Sequence, residues 1–136
     1  MSEQYLPDCI FCKIAQHELS ASIRFEDDEI IAFDDANPQA PIHILVIPKI
    51  HLISLTHAES NHQELLGKLL YRCKILAKEL NIADSGYRAI INVGKWGGQI
   101  VPHLHIHILG GAPLTDKFKV ATADKSVSLT KGTSEI

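Results

Sequence analysis

The chain is 136 residues long and 46% hydrophobic, which is enough for one compact domain with an apolar core and no disulfide staples. A formal charge of −3 with no basic run excludes a protein that gains its affinity by neutralising phosphates along a nucleic acid. Residues 1–8 have no basic or apolar leader and no apolar stretch reaches the length of a membrane span, so we expect a cytoplasmic protein with no membrane partner.

The first third of the chain predicts a helix, a hairpin and a buried strand. Apolar residues recur at helical intervals over residues 9–18 and predict a short first helix. Residues 22–26 and 29–34 are short strand-like runs separated by two aspartates, which predicts an antiparallel hairpin. The apolar run 42–47 lies between prolines and predicts a central strand.

The middle of the chain predicts one long helix and two further strands. Thr56 and Glu59 have the spacing of a capping box, and leucines follow at helical intervals as far as Asn81. Residues 87–93 and 103–109 then predict strands that are separated by a glycine-rich loop.

Together these segments predict an α+β fold in which a five-stranded, mostly antiparallel sheet packs against two helices. From residue 112 onward the chain is polar and rich in Ser, Thr and Lys. We therefore assign residues 1–111 to one folded domain and residues 112–136 to a polar C-terminal tail.

Three of the eight histidines alternate along the last predicted strand. His103, His105 and His107 share one face of such a strand, while the intervening apolar residues pack on the other face. The outer two have Cα atoms roughly 13 Å apart, so the three rings do not converge easily on one atom and a division of labour is expected. Imidazoles with near-neutral pKa values are acid–base and nucleophilic groups, and the alternative is a merely polar edge strand.

The middle ring, His105, suits a nucleophile, because one ring nitrogen can be oriented by a hydrogen bond while the other attacks. Asn92 and a loop with glycines at 94, 97 and 98 precede the strand. Backbone N–H groups of such a loop can cradle an anion, which points to phosphorus as the electrophile. A flexible hairpin connection is the alternative reading of the loop.

A second candidate site is the pair Cys9 and Cys12. Cys-x-x-Cys spacing suits tetrahedral zinc or a redox pair, and the absence of a preceding thioredoxin-type strand favours a metal. Two reduced cysteines without a metal are the alternative. Cys73, on the apolar face of the long helix, is interpreted as a core residue.

The segment His103-Leu-His105-Ile-His107-Ile-Leu resembles the His-φ-His-φ-His-φ-φ signature of the histidine triad (HIT) superfamily, where φ is apolar. Residues 33–49, FDDANPQAPIHILVIPK, and Gly97-Gly98-Gln99 resemble its Hint branch, so the resemblance covers about residues 9–111. It implies the HIT fold with a sheet continued across a homodimer. It also implies attack at the α-phosphate of adenosine phosphoramidates or related purine nucleotides through a nucleotidyl-histidine intermediate.

The resemblance also implies roles for individual residues. His105 would be the nucleophile, His107 a donor to the phosphate or leaving group, and His43 a supporting residue from the neighbouring strand. Asp35 would hold the ribose hydroxyls. Ile100 departs from the Ser or Thr that the Hint branch often has, so the identity of the preferred leaving group stays open.

The implied nucleotide-binding residues are Ile14, Phe33, Asp35, Ala36, Asn92, Gly98, Gln99, Ile100, His105 and His107. The implied base-pocket positions are Phe11, Ile14, Leu19 and Phe33, with an ordinary core role as the alternative.

Several bacterial triad proteins combine such a cysteine pair with a histidine after the Pro-Lys of the central strand and with the first triad histidine. In this chain the resemblance implies a zinc site formed by Cys9, Cys12, His51 and His103. A Cys₂His₂ shell has no open position, so the zinc would be structural and would tie the first helix to the sheet.

Two other functions remain open. A dinucleoside polyphosphate hydrolase would use the same nucleophile on a different leaving group. A non-catalytic nucleotide-binding interaction module would need the fold but not the nucleophile, and the intact His105 and His107 favour an enzyme.

Overall fold

The computed structural model describes residues 5–116, 118, 120 and 121. Five strands form one sheet in the order β1-β2-β3-β5-β4, and every neighbouring pair is antiparallel. The prediction of an α+β fold with two helices and a central third strand is confirmed. The elements are α1 (Ile10–Ala15), β1 (Ile23–Glu26), β2 (Ile30–Asp34), β3 (Ile42–Pro48), α2 (Gln63–Glu79), β4 (Tyr87–Ile90) and β5 (Ile106–Gly110).

The two faces of the sheet are buried by different helices. Because side chains alternate along a strand, Ile44 and Val46 of β3 pack towards α2, whereas Leu45 and Ile47 pack towards α1. The larger core lies on the α2 side, and the apolar residues between the triad histidines belong to it. The histidines are therefore left on the α1 side of the sheet.

The predicted start of the long helix is wrong. Ser54 caps a 3₁₀ turn at Leu55–His57, and the reciprocal capping box is formed instead by Glu59 and His62 around a second 3₁₀ turn. The α-helix α2 begins only at Gln63. The observed box has Glu and His in place of the usual Ser or Thr and Glu or Gln, so its sequence does not match the usual pattern.

The strand predicted from residue 103 begins only at Ile106. The N–H of His103 donates to the carbonyl of Val101 and the N–H of Leu104 to that of Leu52, so these residues form an irregular turn rather than part of the ladder. The helix α1 and the strand β4 are likewise shorter than predicted.

The predicted C-terminal tail, 112–136, lies largely outside the residues that the structure describes. Within the described part of the chain, neither helix is both long and apolar enough to cross a membrane. The homodimer stays a prediction, and β1 and β4 are the edge strands at which a sheet could be continued.

Candidate functional site

A cavity of about 370 Å³ opens on the α1 side of the sheet. It lies where β3 and β5 meet the loop after β2 and the glycine-rich loop before β5. Its volume is at the lower end of the range for small-ligand sites, which suits one compact ligand. The lining residues are Phe11, Asp35, Asn37, Gln39, His43, Leu45, Asn92, Gly98, Ile100, Val101, His105 and His107.

Most of the residues implied for nucleotide binding or catalysis meet at this cavity, but five do not line it. Leu19, implied for the base pocket, is exposed and lies outside the lining. Ile14 and Phe33 are buried in the core below it, where the Phe33 ring contacts Phe11 at 5.6 Å between centroids. Ala36 lies in the loop beside the lining residue Asp35. The side chain of Gln99 accepts a hydrogen bond from the Gly94 N–H within the glycine-rich loop.

Four lining residues were not predicted from the sequence: Asn37, Gln39, Leu45 and Val101. Leu45 could have been found, because it follows His43 by two positions on β3 and is paired with His107 on β5. Asn37 and Gln39 lie in the proline-containing loop, whose path over the cavity has no periodic signal in the sequence.

His105 has one ring nitrogen fixed and the other available. Its Nδ1 donates to the carbonyl oxygen of His103 at 2.6 Å, so the lone pair of the neutral ring is on Nε2. The Phe11 ring packs edge-on against it, 5.1 Å between centroids. Burial lowers the pKa of His105 below its ordinary value, which favours the neutral ring.

His43 and His107 form a second, directed pair. The main-chain N–H of Gln39 donates to His43 Nδ1 at 3.0 Å, and His43 Nε2 lies 2.9 Å from His107 Nδ1 and 3.3 Å from a carboxylate oxygen of Asp35. Since a main-chain N–H only donates, His43 carries its proton on Nε2 and passes a hydrogen bond to His107. Burial, helped by the neighbouring histidines, lowers the pKa of His107 to about 4.

The glycine-rich loop is held by its own hydrogen bonds. Asn92 Nδ2 donates to the Gly97 carbonyl at 2.8 Å, and Gln99 binds the Gly94 N–H and the carbonyls of Ile53 and Val101. A Cβ at Gly97 would lie 2.2 Å from a backbone oxygen, so only glycine fits there. The N–H groups of Gly94, Gly97, Gly98 and Gln99 are all bonded inside the loop, so the predicted anion cradle is not formed by these four groups.

A second cluster, Cys9, Cys12, His51 and His103, lies behind the nucleophile. All four side chains are buried, and one ligating atom from each lies within 4.8 Å of the others. His103 Nδ1 is 3.3 Å from Cys9 Sγ, 3.6 Å from Cys12 Sγ and 3.1 Å from His51 Nδ1. His103 Nε2 donates to the Pro48 carbonyl at 2.9 Å, which leaves the Nδ1 lone pair directed at the other three groups.

The local fold creates this convergence. Cys9 caps α1, where its Sγ accepts from the Cys12 N–H, so both thiols face the same end of one helical turn. Burial raises the pKa of Cys12 to about 11 and lowers the pKa of His103 to about 4. Burial therefore keeps the thiol protonated and the imidazole neutral when no cation is bound, and the neutral imidazole is the ligand form.

A second trio, Asp35, His43 and His107, also has metal-like spacing. Its chemistry does not fit a cation, because the Gln39 N–H occupies His43 Nδ1 and leaves a proton on the Nε2 atom that would have to ligate. Of the two clusters in the described residues, only the one with the two cysteines offers lone pairs from every member.

Comparisons with known proteins support the same family. A family model described as "HIT domain" matches residues 16–114. A 14 kDa zinc-binding protein of Zea mays is 49% identical over 104 residues, covering 75% of this chain and 80% of the maize protein. The purine nucleoside phosphoramidase of Escherichia coli (strain K12) is 41% identical over 107 residues, covering 79% and 90%. A solved HIT family hydrolase from Legionella pneumophila Philadelphia 1 is 46% identical with a TM-score of 0.78, covering 79% and 96%. The chain therefore belongs to the HIT, or histidine triad, family.

Proposed function

We propose that this chain is a nucleotide hydrolase or transferase that attacks the α-phosphate of a purine nucleotide with His105. The observation that carries the proposal is the bond from His105 Nδ1 to the His103 carbonyl, which fixes the tautomer and leaves Nε2 as a lone pair in a ring that lines the cavity. The E. coli relative is named a purine nucleoside phosphoramidase, so adenosine phosphoramidates and related purine nucleotides are the first substrates to test.

The proposed reaction has two displacements. Nε2 of His105 forms a bond to phosphorus while the bond from phosphorus to the leaving group breaks with its electron pair. Water then bonds to phosphorus, the bond to Nε2 breaks to restore the neutral ring, and a proton of the water passes to solvent. The nucleotidyl-imidazole carries a positive charge, and the His103 carbonyl stabilises it by accepting from Nδ1–H. We assign to His107, which lines the same cavity, the role of donating its Nε2–H to a phosphoryl oxygen.

The remaining lining residues suit the other parts of a nucleotide. Phe11, Leu45 and Val101 give an apolar wall for a purine base. Asp35 accepts from the Asn37 N–H through Oδ1, and its second oxygen is near His43, so the carboxylate is oriented before a ligand arrives. We assign the ribose hydroxyls to this carboxylate, which can accept from both.

We further propose that Cys9, Cys12, His51 and His103 hold a structural zinc ion. Two thiolates and two imidazoles are a preferred donor set, and zinc bond lengths give tetrahedral edges of about 3.3 to 3.8 Å, close to the 3.1 to 3.6 Å separations around His103. The maize relative is named a zinc-binding protein. The metal would tie α1 to the sheet and would take no part in the displacement steps.

Covalent labelling tests the proposed function. Incubation with an adenosine phosphoramidate, followed by acid-free mass spectrometry, should trap an adenylyl group on His105. His105→Ala should show no adduct, whereas His17→Ala, which changes a half-exposed histidine outside the cavity, should label normally. Labelling at His103 or His107 in the wild-type protein would contradict the assignment.

A further inference from the structure

The direction in which His105 Nε2 points depends on more than one hydrogen bond. The bond from Nδ1 to the His103 carbonyl holds one side of the ring, but the terminal torsion of an imidazole is broad, so the opposite nitrogen can still swing. Two aromatic rings restrict this swing by edge-on contact. The Phe11 ring is 5.1 Å from the His105 ring between centroids, with the planes at 86°, and the His107 ring is 4.9 Å away at 66°.

These two neighbouring rings differ in how firmly they are anchored. His107 is paired with Leu45 of β3 and with Ile90 of β4, so the sheet holds its main chain on both sides. Phe11 belongs to α1, which has only six residues and is capped by Cys9. A helix this short keeps its place only through tertiary contacts. A change in those contacts therefore moves Phe11 and leaves His107 in place.

Phe11 lies between the candidate zinc ligands and the nucleophile. It follows Cys9 by two positions and precedes Cys12 by one, and it is buried with them on the α1 side of the sheet. The same ring contacts His103, 5.9 Å between centroids and 74° between planes, as well as His105. One side chain thus links the helix that the metal would anchor to the imidazole that would attack phosphorus.

We propose that Phe11 is a positioning residue, through which the zinc ion proposed above keeps Nε2 of His105 aligned for attack. The inference rests on the proposed hydrolase and on the proposed metal site, and the ion itself stays outside the displacement steps. Positioning acts on every substrate that carries the reacting phosphoryl group, whereas an apolar wall for a purine acts only on substrates with a base. A misplacement of about 1 Å at a reacting atom can cost about a hundredfold in rate, so removal of the phenyl ring should slow the covalent step.

A substrate without a base separates positioning from base contact. Ribose 5-phosphoramidate keeps the sugar and the phosphoramidate bond, and its single-turnover reaction with His105 is followed by mass spectrometry. Phe11→Ala should lower the rate constant of labelling by about tenfold or more, and Phe11→Leu, which keeps part of the apolar bulk, should lower it less. An unchanged rate constant in Phe11→Ala would show that this residue contacts only the base, and would overturn the proposal.

Removal of zinc tests the route through Phe11. In wild-type protein a chelator should lower the labelling rate constant about as much as Phe11→Ala does. In Phe11→Ala itself the chelator should change the rate constant by less than about twofold, because the two perturbations break the same link. Equal losses in both proteins, or a protein that binds no zinc, would overturn the proposed route.

A matched control separates positioning from a general loss of stability. Rate constants are measured well below the melting temperature of each protein and are referred to folded molecules, counted by circular dichroism. Leu69→Ala weakens the core under α2, on the other face of the sheet from α1, and should keep the wild-type rate constant. A loss in Leu69→Ala equal to the loss in Phe11→Ala would show that stability alone is responsible.

Side-chain NMR gives a readout that needs no substrate. Relaxation of the ring C–H groups of His105 should report a rigid ring in zinc-loaded wild-type protein and a more mobile ring in Phe11→Ala and in zinc-free protein. A ring that is equally ordered in all three samples would overturn the proposal. Absence of labelling by any phosphoramidate would contradict the proposed function instead, and the order of the His105 ring would still decide the role of Phe11.

Discussion

Loss of the proposed metal should destabilise the whole domain, because the Cys9–Cys12–His51–His103 cluster joins distant parts of the chain. Cys9 and His103 are 94 positions apart and lie in contact in the folded protein. We expect removal of zinc with a chelator, or the substitution Cys12→Ser, to lower the free energy of unfolding, since a metal that binds only the folded state adds its binding free energy to folding.

The size of the effect follows from two independent estimates. A cross-link that closes a loop of this length raises the free energy of the unfolded chain by about 4.7 kcal/mol at 25 °C, because it removes chain entropy. Zinc present at roughly a thousand times its dissociation constant contributes about 4.1 kcal/mol by mass action. We therefore expect a loss of about 4 kcal/mol, which for a domain of this size lowers the melting temperature by roughly 10 to 15 °C.

Metal analysis gives the zinc content of a preparation, and thermal unfolding followed by circular dichroism gives the melting temperature of the same preparation. The purified protein should carry close to one zinc per chain, and Cys12→Ser should lose it. Cys73→Ala is the matched control, because Cys73 is buried on α2 in the other core. It should keep its zinc and its response to the chelator. A fully folded, metal-free protein whose melting temperature does not change when zinc is added would contradict the proposed structural zinc site.

The remaining predictions concern the cavity and the core. His105→Ala should abolish turnover while nucleotide affinity, measured by calorimetry, changes by only a few-fold, because the pocket survives without the nucleophile. Asp35→Ala should erase the preference for ribonucleotides over 2′,3′-dideoxynucleotides in steady-state assays, and a wild-type protein without that preference would argue against the ribose role. Burial lowers the pKa of His105 and takes the pKa of His107 to about 4, so the reactive neutral forms persist below pH 6.5. Between pH 7.5 and 6 the rate of adduct formation should then fall by less than the roughly fourfold that an unperturbed imidazole would lose in neutral form. Leu69→Ala, in the core under α2, should cost about 2 to 5 kcal/mol in denaturant unfolding.

Much of the fold could be predicted from the sequence, because residue alternation reports which face of a strand is buried. Ile106 and Ile108 of β5 pack in the core under α2 as the alternation predicted, and β3 is buried as its apolar run indicated. The boundary of β5 could not be predicted, since His103 leaves the ladder to place its ring against the cysteines. A tertiary contact of that kind overrides a local strand pattern.

The candidate site was predictable in its side chains and not in its main chain. Motif residues such as Asp35 and His105 meet at the cavity. The hydrogen bond from the Gln39 N–H to His43 Nδ1 could not be predicted from the sequence. Every residue except proline has a main-chain N–H, and only the path of the loop directs this one at His43. Gln99 shows the converse, a motif residue whose amide shapes the loop rather than facing the cavity.

The helix α1 has only six residues, yet it provides one wall of the cavity through Phe11. Helices of this length have no stability of their own in water, so α1 persists only through packing and through the cysteines at its start. We therefore expect its amides to exchange with solvent before those of the central strands once the proposed zinc is removed. Such a local opening would separate Phe11 from Phe33 and from the His105 ring, so the cavity would lose one wall while the sheet stayed folded.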